Sequence, residues 1–336
     1  MGSGIVAVDL HLHDQPVLSA IMMWFAAAVW LILAAMLGLR LLYQPDRFVH
    51  EATSPAALTG VAGTAVLGTR LALEGWWEAG AGLLAVTGIA WVLLVGPVLR
   101  HWRTPTIGAS FVLTVATQGL AVLGATLAID YRQGWLLIAA LVALVLGVAF
   151  YVFTAARFDL TQLVNGHGDH WVAGGALAIS TLACARVSQG ADTLDRFTVG
   201  QRDTLSTGTL VLWSLAMLWL LPLVIGESAN PRLDYDVRRW ATVFPLGMYA
   251  ACSFLTGEVS GLAGITDFAR TWTWIAFVIS LFVAAGMFRA SWPVLRGQHR
   301  PVTDERRADI SPTRRVYALE ASTGRLRWPR RRSSPG

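Results

Sequence analysis

Apolar runs of membrane-spanning length, separated by short polar connections, fill most of this chain. Residues 21–43 form one long unambiguous run, and a polar loop, 44–54, follows it. Further runs cover residues 56–73, 80–99, 107–129, 135–153, 171–185, 210–225, 240–256 and 272–288. A small apolar stretch at 1–8 is too short to span, and residues 9–15 read as a polar connection. With that stretch counted as the first, the pattern predicts ten helices in five pairs.

The pairs alternate in character. Odd members are short and interrupted by Gly, Thr or Pro, whereas even members are long and rich in Leu, Val, Ala or Trp. Helices that are apolar all round suit lipid, and small residues let helix backbones approach closely. Short, interrupted segments recurring at corresponding positions point to a transport path. The expected architecture is therefore an all-α polytopic membrane protein with odd helices inside and even helices outside. Residues 1–292 make up its transmembrane domain, and 293–336 an Arg-rich, disordered cytoplasmic tail.

Composition agrees with that picture. The chain is 55% hydrophobic and 14% charged, well below the roughly 25% charge of a soluble domain. All of its cations are arginine, and they divide unevenly between the two sides. Arg40, Arg47, Arg100, Arg103, Arg157, Arg232, Arg238 and Arg239 join the tail on one side, which the positive-inside rule makes cytoplasmic. The basic balance thus reflects topology, and no nucleic-acid partner is implied. Cys184 and Cys252 lie in apolar runs and read as small buried hydrophobes. In the tail, residues 316–328 resemble a single quinoprotein-type propeller repeat, which cannot fold alone.

Enzymatic motifs are missing: there is no H-E-x-x-H, no Walker sequence and no Gly-x-Ser-x-Gly. The pairs His11/His13 and His167/His170 lack supporting ligands, so neither a metal nor a cofactor is expected. Ionisable residues within the runs, such as Arg70, Glu74, Arg186 and Glu258, fall at their ends. The middle of the bundle therefore reads as lacking a carboxylate for proton or sodium coupling, which favours a passive or weakly coupled anion path. Candidate pore-lining groups on the odd helices are Gly63, Thr64, Thr69, Thr114, Thr117, Gln118, Ser180 and Thr181. Their hydroxyls and amides either hold an anion loosely or bond helix to helix. In 240–256, Phe244, Pro245 and Gly247 place a bulky ring, a helix breaker and a glycine within four positions. That is either a packed kink or a pore constriction.

Five stretches, all on odd helices, carry a family resemblance. They are Met1-Gly2-Ser3-Gly4-Ile5-Val6-Ala7, AGTAVLGTR at 62–70, VATQGLAV at 115–122, GALAISTLA at 175–183 and VFPLGMY at 243–249. Together they resemble the tellurite-resistance/dicarboxylate transporter family, which includes fungal malate permeases and plant slow anion channels. The resemblance implies five hairpins around a central pore, a phenylalanine plug that matches Phe244, and trimeric assembly. The expected location is the plasma membrane. The resemblance implies as cargo small anions or C4-dicarboxylates such as malate, and also sulfite and tellurite. A proton-coupled dicarboxylate carrier is the alternative within this class, and a membrane-embedded enzyme or sensor the alternative outside it. The family's first helix begins well before its Met-Gly signature, so the first helix here is expected to be truncated at the N-terminus.

Overall fold

A computed structural model describes residues 1–165, 168, 170–229 and 235–295. The predicted tail from 296 onward, its propeller-like repeat, Arg232 and His167 lie outside the described residues. Ten helices of more than one turn or two dominate: α1 Gly2–Leu12, α2 Pro16–Tyr43, α3 Leu58–Leu73, α4 Trp77–Arg100, α5 Val112–Asp130, α6 Gly134–Ala155, α7 Trp171–Leu194, α8 Val199–Ala229, α9 Trp240–Ser260 and α10 Ala263–Leu295. Shorter helical segments, Pro45–Glu51 and Gln162–Asn165, sit in connections, and an isolated bridge joins Thr106 to Phe158.

Eight of these helices are long and apolar enough to cross a membrane, which makes the chain an all-α multi-pass membrane protein. The expectation was ten spans, and the two outside this set are α1 and α9. Helix α1 has only 11 residues, about 16 Å of rise, roughly half a hydrocarbon core. Helix α9 has 21 residues, but Thr, Ser, Gly and Pro dilute its hydropathy. Residue 9 does not begin a connection either: α1 continues through Asp9 to Leu12 before the chain turns at Asp14, whose φ is 55°.

Burial separates the helices into two layers. The apolar windows of α3, α5 and α7 are 61–94% buried, whereas those of α2, α4, α6, α8 and α10 are 11–22% buried. Helix α1 is buried from Gly2 to Leu10, and α9 along nearly its whole length. The inner helices touch in chain order, α1 to α3, α3 to α5, α5 to α7 and α7 to α9, and α9 returns to α1. That is a closed ring of five. Facing positions rise together along its members: Met1 meets Gly63 while Gly4 meets Val66, and Ala65 meets Gly119 while Gly68 meets Leu123. Helices α1, α3 and α5 are therefore parallel.

Small residues set how tightly the ring closes. A Cβ on Gly175 of α7 would stand 2.8 Å from Pro245 Cγ, and one on Gly247 of α9 would stand 2.5 Å from Ile5 Cγ2. Lipid tails are as apolar as leucine, so such close van der Waals packing, not exclusion of water, holds the inner helices together. Pro245 removes one backbone hydrogen bond from α9, and Gly175 lets a neighbouring helix pack against the break.

Candidate functional site

A cavity of about 20 Å³ lies on the axis of the ring. All five inner helices line it: Ile5 and Val8 from α1, Thr69 from α3, Val122 from α5, Ile179 from α7 and Met248 from α9 are among its walls. The volume suits about one water molecule. The lining is apolar except for Thr69, whose hydroxyl donates to Ala65 O at 2.9 Å. A larger hollow of about 430 Å³ opens on the outer surface between α6, α7 and α8, with Tyr151, Leu177, Leu212 and Trp219 along it. That groove includes the predicted site residue Ser180, but it is walled mainly by apolar side chains and has few polar groups with which to hold an anion.

The predicted site residues differ in what each one touches. Thr69 alone among them lines the axial cavity. Several others bond to neighbouring helices instead. Thr64 donates to Gly60 O and accepts from Trp30 Nε1 of α2 at 2.9 Å. Thr117 donates to Leu113 O and accepts from Trp91 Nε1 of α4, also at 2.9 Å. Gln118 Nε2 donates to Leu144 O of α6 and to Ser180 Oγ of α7, and Ser180 donates onward to Ala176 O. Thr181 donates to Leu177 O within its own helix. Thr114 is fully buried, and its Oγ1 has no partner among the described residues. Gly63, Pro245 and Gly247 are packing positions, facing Met1, Gly175 and Ile5 respectively. Phe244 is 1% exposed on α9, in the turn before Met248, and Met248 is the α9 residue that reaches the cavity.

Arg70 and Asp9 are ionisable side chains that the fold buries. Arg70 does not snorkel: its side chain is 1% exposed. Its Nε donates to Ser19 Oγ at 2.9 Å, its Nη2 pairs with Glu74 at 2.6 Å, and its Nη1 has no partner among the described residues. Asp9 is fully buried, which corrects the expectation of an interior without a carboxylate. The signal for it was present in the sequence, since nothing between Gly2 and Leu12 breaks a helix. The neighbouring turn residue His13 holds Asp9's carbonyl at 2.9 Å and packs edge-on against Phe254. Burial pushes the His13 imidazole below its usual range, and the bond to the Asp9 carbonyl opposes that shift.

A family model described as voltage-dependent anion channel, SLAC1, matches residues 1–288. The chain belongs to the voltage-dependent anion channel family. The match is to a family of channels and not of enzymes, and among the described residues no three His, Cys, Asp or Glu side chains gather as a metal site. An uncharacterized membrane protein, MT1776, of Mycobacterium tuberculosis (strain CDC 1551 / Oshkosh) is 28% identical over 116 residues, covering 33% of this chain and 57% of its own length. Rv1735c, an uncharacterized membrane protein of strain ATCC 25618 / H37Rv, matches with the same figures. The chain thus spans 57% of the length of these curated relatives. No solved structure is significantly similar to it.

Proposed function

We propose that this member of the voltage-dependent anion channel family carries small anions across the cell membrane along the axis of its inner ring. The observation that carries this reading is the axial cavity walled by all five inner helices. Its apolar lining describes a closed state, because a narrow hydrophobic segment stays dry and blocks ions. In this reading ten helices form five hairpins around a pore, and Phe244 is the gate. Its support is a fully buried aromatic ring on an inner helix, next to the Pro245 break, one turn from the cavity residue Met248. The cargo is a small inorganic anion or a C4-dicarboxylate such as malate, with sulfite and tellurite in the same class. Trimeric assembly and a cytoplasmic C-terminus complete the reading, and cross-linking in native membranes reports the first of these.

The test is flux into liposomes carrying the purified protein, with a panel of chloride, nitrate, sulfite, tellurite, malate and succinate. Phe244→Ala is expected to raise anion flux about tenfold, equivalent to ~1.4 kcal/mol off the barrier. No flux with any anion, from protein correctly inserted, would sink the proposal. A second reading, a proton-coupled dicarboxylate carrier, is favoured by the buried carboxyl of Asp9. Uphill accumulation of malate driven by an imposed pH gradient distinguishes it from passive flux.

A further inference from the structure

Asp9 has no part in the gate described above, yet its setting is unusual. It is 0% exposed, and neither Oδ1 nor Oδ2 has a hydrogen-bond partner among the described residues. Oδ2 lies 3.0 Å from the place a Cβ would take on Gly247. Asp9 follows Val8 on α1, Gly247 precedes Met248 on α9, and Val8 and Met248 both line the axial cavity. The carboxyl is therefore set into the seam between two wall helices, one residue away from a lining side chain on each. Glycine at 247 leaves the space that the carboxyl occupies.

We propose that Asp9 is a proton-binding site in the wall of the anion path, and that an anion passes only while this carboxyl is protonated. The proposal rests on the anion-transport reading above and adds its regulation. An ionised carboxylate without a partner costs far more in such packing than the neutral acid does, so the closed ring holds the acid. Opening the path brings water to the seam and lets the proton leave. The charge left behind repels an anion, and repulsion between like charges is strong where the dielectric is low. Carboxylates in a pore wall favour cations, so an anion path needs this one neutral.

The other charges around Asp9 do not replace it in this role. Helix α2 carries its ionisable side chains, Arg40 and Tyr43, near its opposite end, and presents Ser19 here, which bonds Ala7 O and Arg70. Helix α3 offers Arg70, already paired with Glu74. From α9 the buried Cys252 thiol donates to Tyr249 O, while the Tyr249 hydroxyl donates to Ala216 O of α8, and Glu258 lies two residues from the helix end. On α1 and its turn, His11 and His13 follow, and His13 is also in contact with Thr273 of α10. Arg270 and Asp267 of α10 pair with each other in an exposed position.

The experiment measures chloride and malate flux in proteoliposomes over a range of pH from acid to alkaline. Wild type, Asp9→Asn and His13→Gln are compared, each checked for monodispersity and thermal melting. Wild-type flux is expected to fall about tenfold as pH rises across this range. Asp9→Asn should stay at the wild type's acid level throughout, and His13→Gln should retain the wild-type profile. Wild-type-like pH dependence in Asp9→Asn, or its loss in His13→Gln alone, overturns the proposal. An infrared difference spectrum gives a second readout that needs no flux. A protonated carboxyl C=O stretch present in wild type and missing from Asp9→Asn supports the site, and its absence from wild type overturns it. Absence of flux from every variant at every pH fails the transport reading itself and, with it, this regulation.

Discussion

Thr64 and Thr69 stand on the same helix, and each hydroxyl bonds the carbonyl four residues before it. Thr64 is also held from outside by Trp30, whereas Thr69 turns toward the axis. The contrast extends to both layers of the molecule. Trp30, Trp91 and Trp213 each stand fourteen residues past the first residue of an outer helix, α2, α4 and α8. Each donates its indole N–H at 2.9 Å to a hydroxyl on the next inner helix, Thr64, Thr117 or Ser253. Several of the inner polar groups thus serve as fasteners, and apart from Thr69 the axis is left to apolar residues. In lipid, helix association depends on close contact and a few hydrogen bonds. A closed anion path needs the opposite on its axis, a dry apolar wall.

Substitutions at each layer sharpen or break this comparison. The largest effect on stability is expected from Gly175→Leu, because the added side chain meets the rigid Pro245 ring. A loss of about 3 kcal/mol follows for such overpacking, read as lower melting temperature in detergent. On the axis, Met248→Ala is expected to raise anion flux severalfold, about as Phe244→Ala does, with each tenfold worth ~1.4 kcal/mol of barrier. A rise in Phe244→Ala without one in Met248→Ala would place the constriction at the ring of Phe244; the reverse would move the gate one turn along α9. At the fasteners, Trp91→Phe and Thr117→Val are each expected to cost about 1 kcal/mol, and the double variant little more than either. A fully additive pair of losses would mean that the two groups do not work together. Thr69→Val is the smallest: a few tenths of a kcal/mol in stability, since one intrahelical bond is lost, and a changed anion preference in flux assays if Thr69 meets the cargo.

Much of this organisation was legible beforehand. The alternation of greasy and small-residue runs separated the layers correctly, because lipid-facing and ring-facing helices need different surfaces. The site was less legible. Thr64, Thr117 and Ser180 share their residue types with Thr69, and only the rotation of each helix about its own axis decides which hydroxyl meets a tryptophan and which a cavity. Asp9 looked like the start of a polar turn because a carboxylate after eight apolar residues is a common boundary. It packs against Gly247, 238 positions away along the chain, where a Cβ would stand 3.0 Å from its Oδ2.

By itself, the sequence determined the helices, their two-layer alternation and the family-like motifs, since hydropathy and residue size act locally and leave a periodic trace. Tertiary structure alone decided which side of each inner helix faces the axis, that Arg70 and Asp9 are buried, and that Met248 lies at the cavity wall. Those outcomes depend on contacts between helices far apart in the chain, where a glycine on one helix packs against a side chain on another.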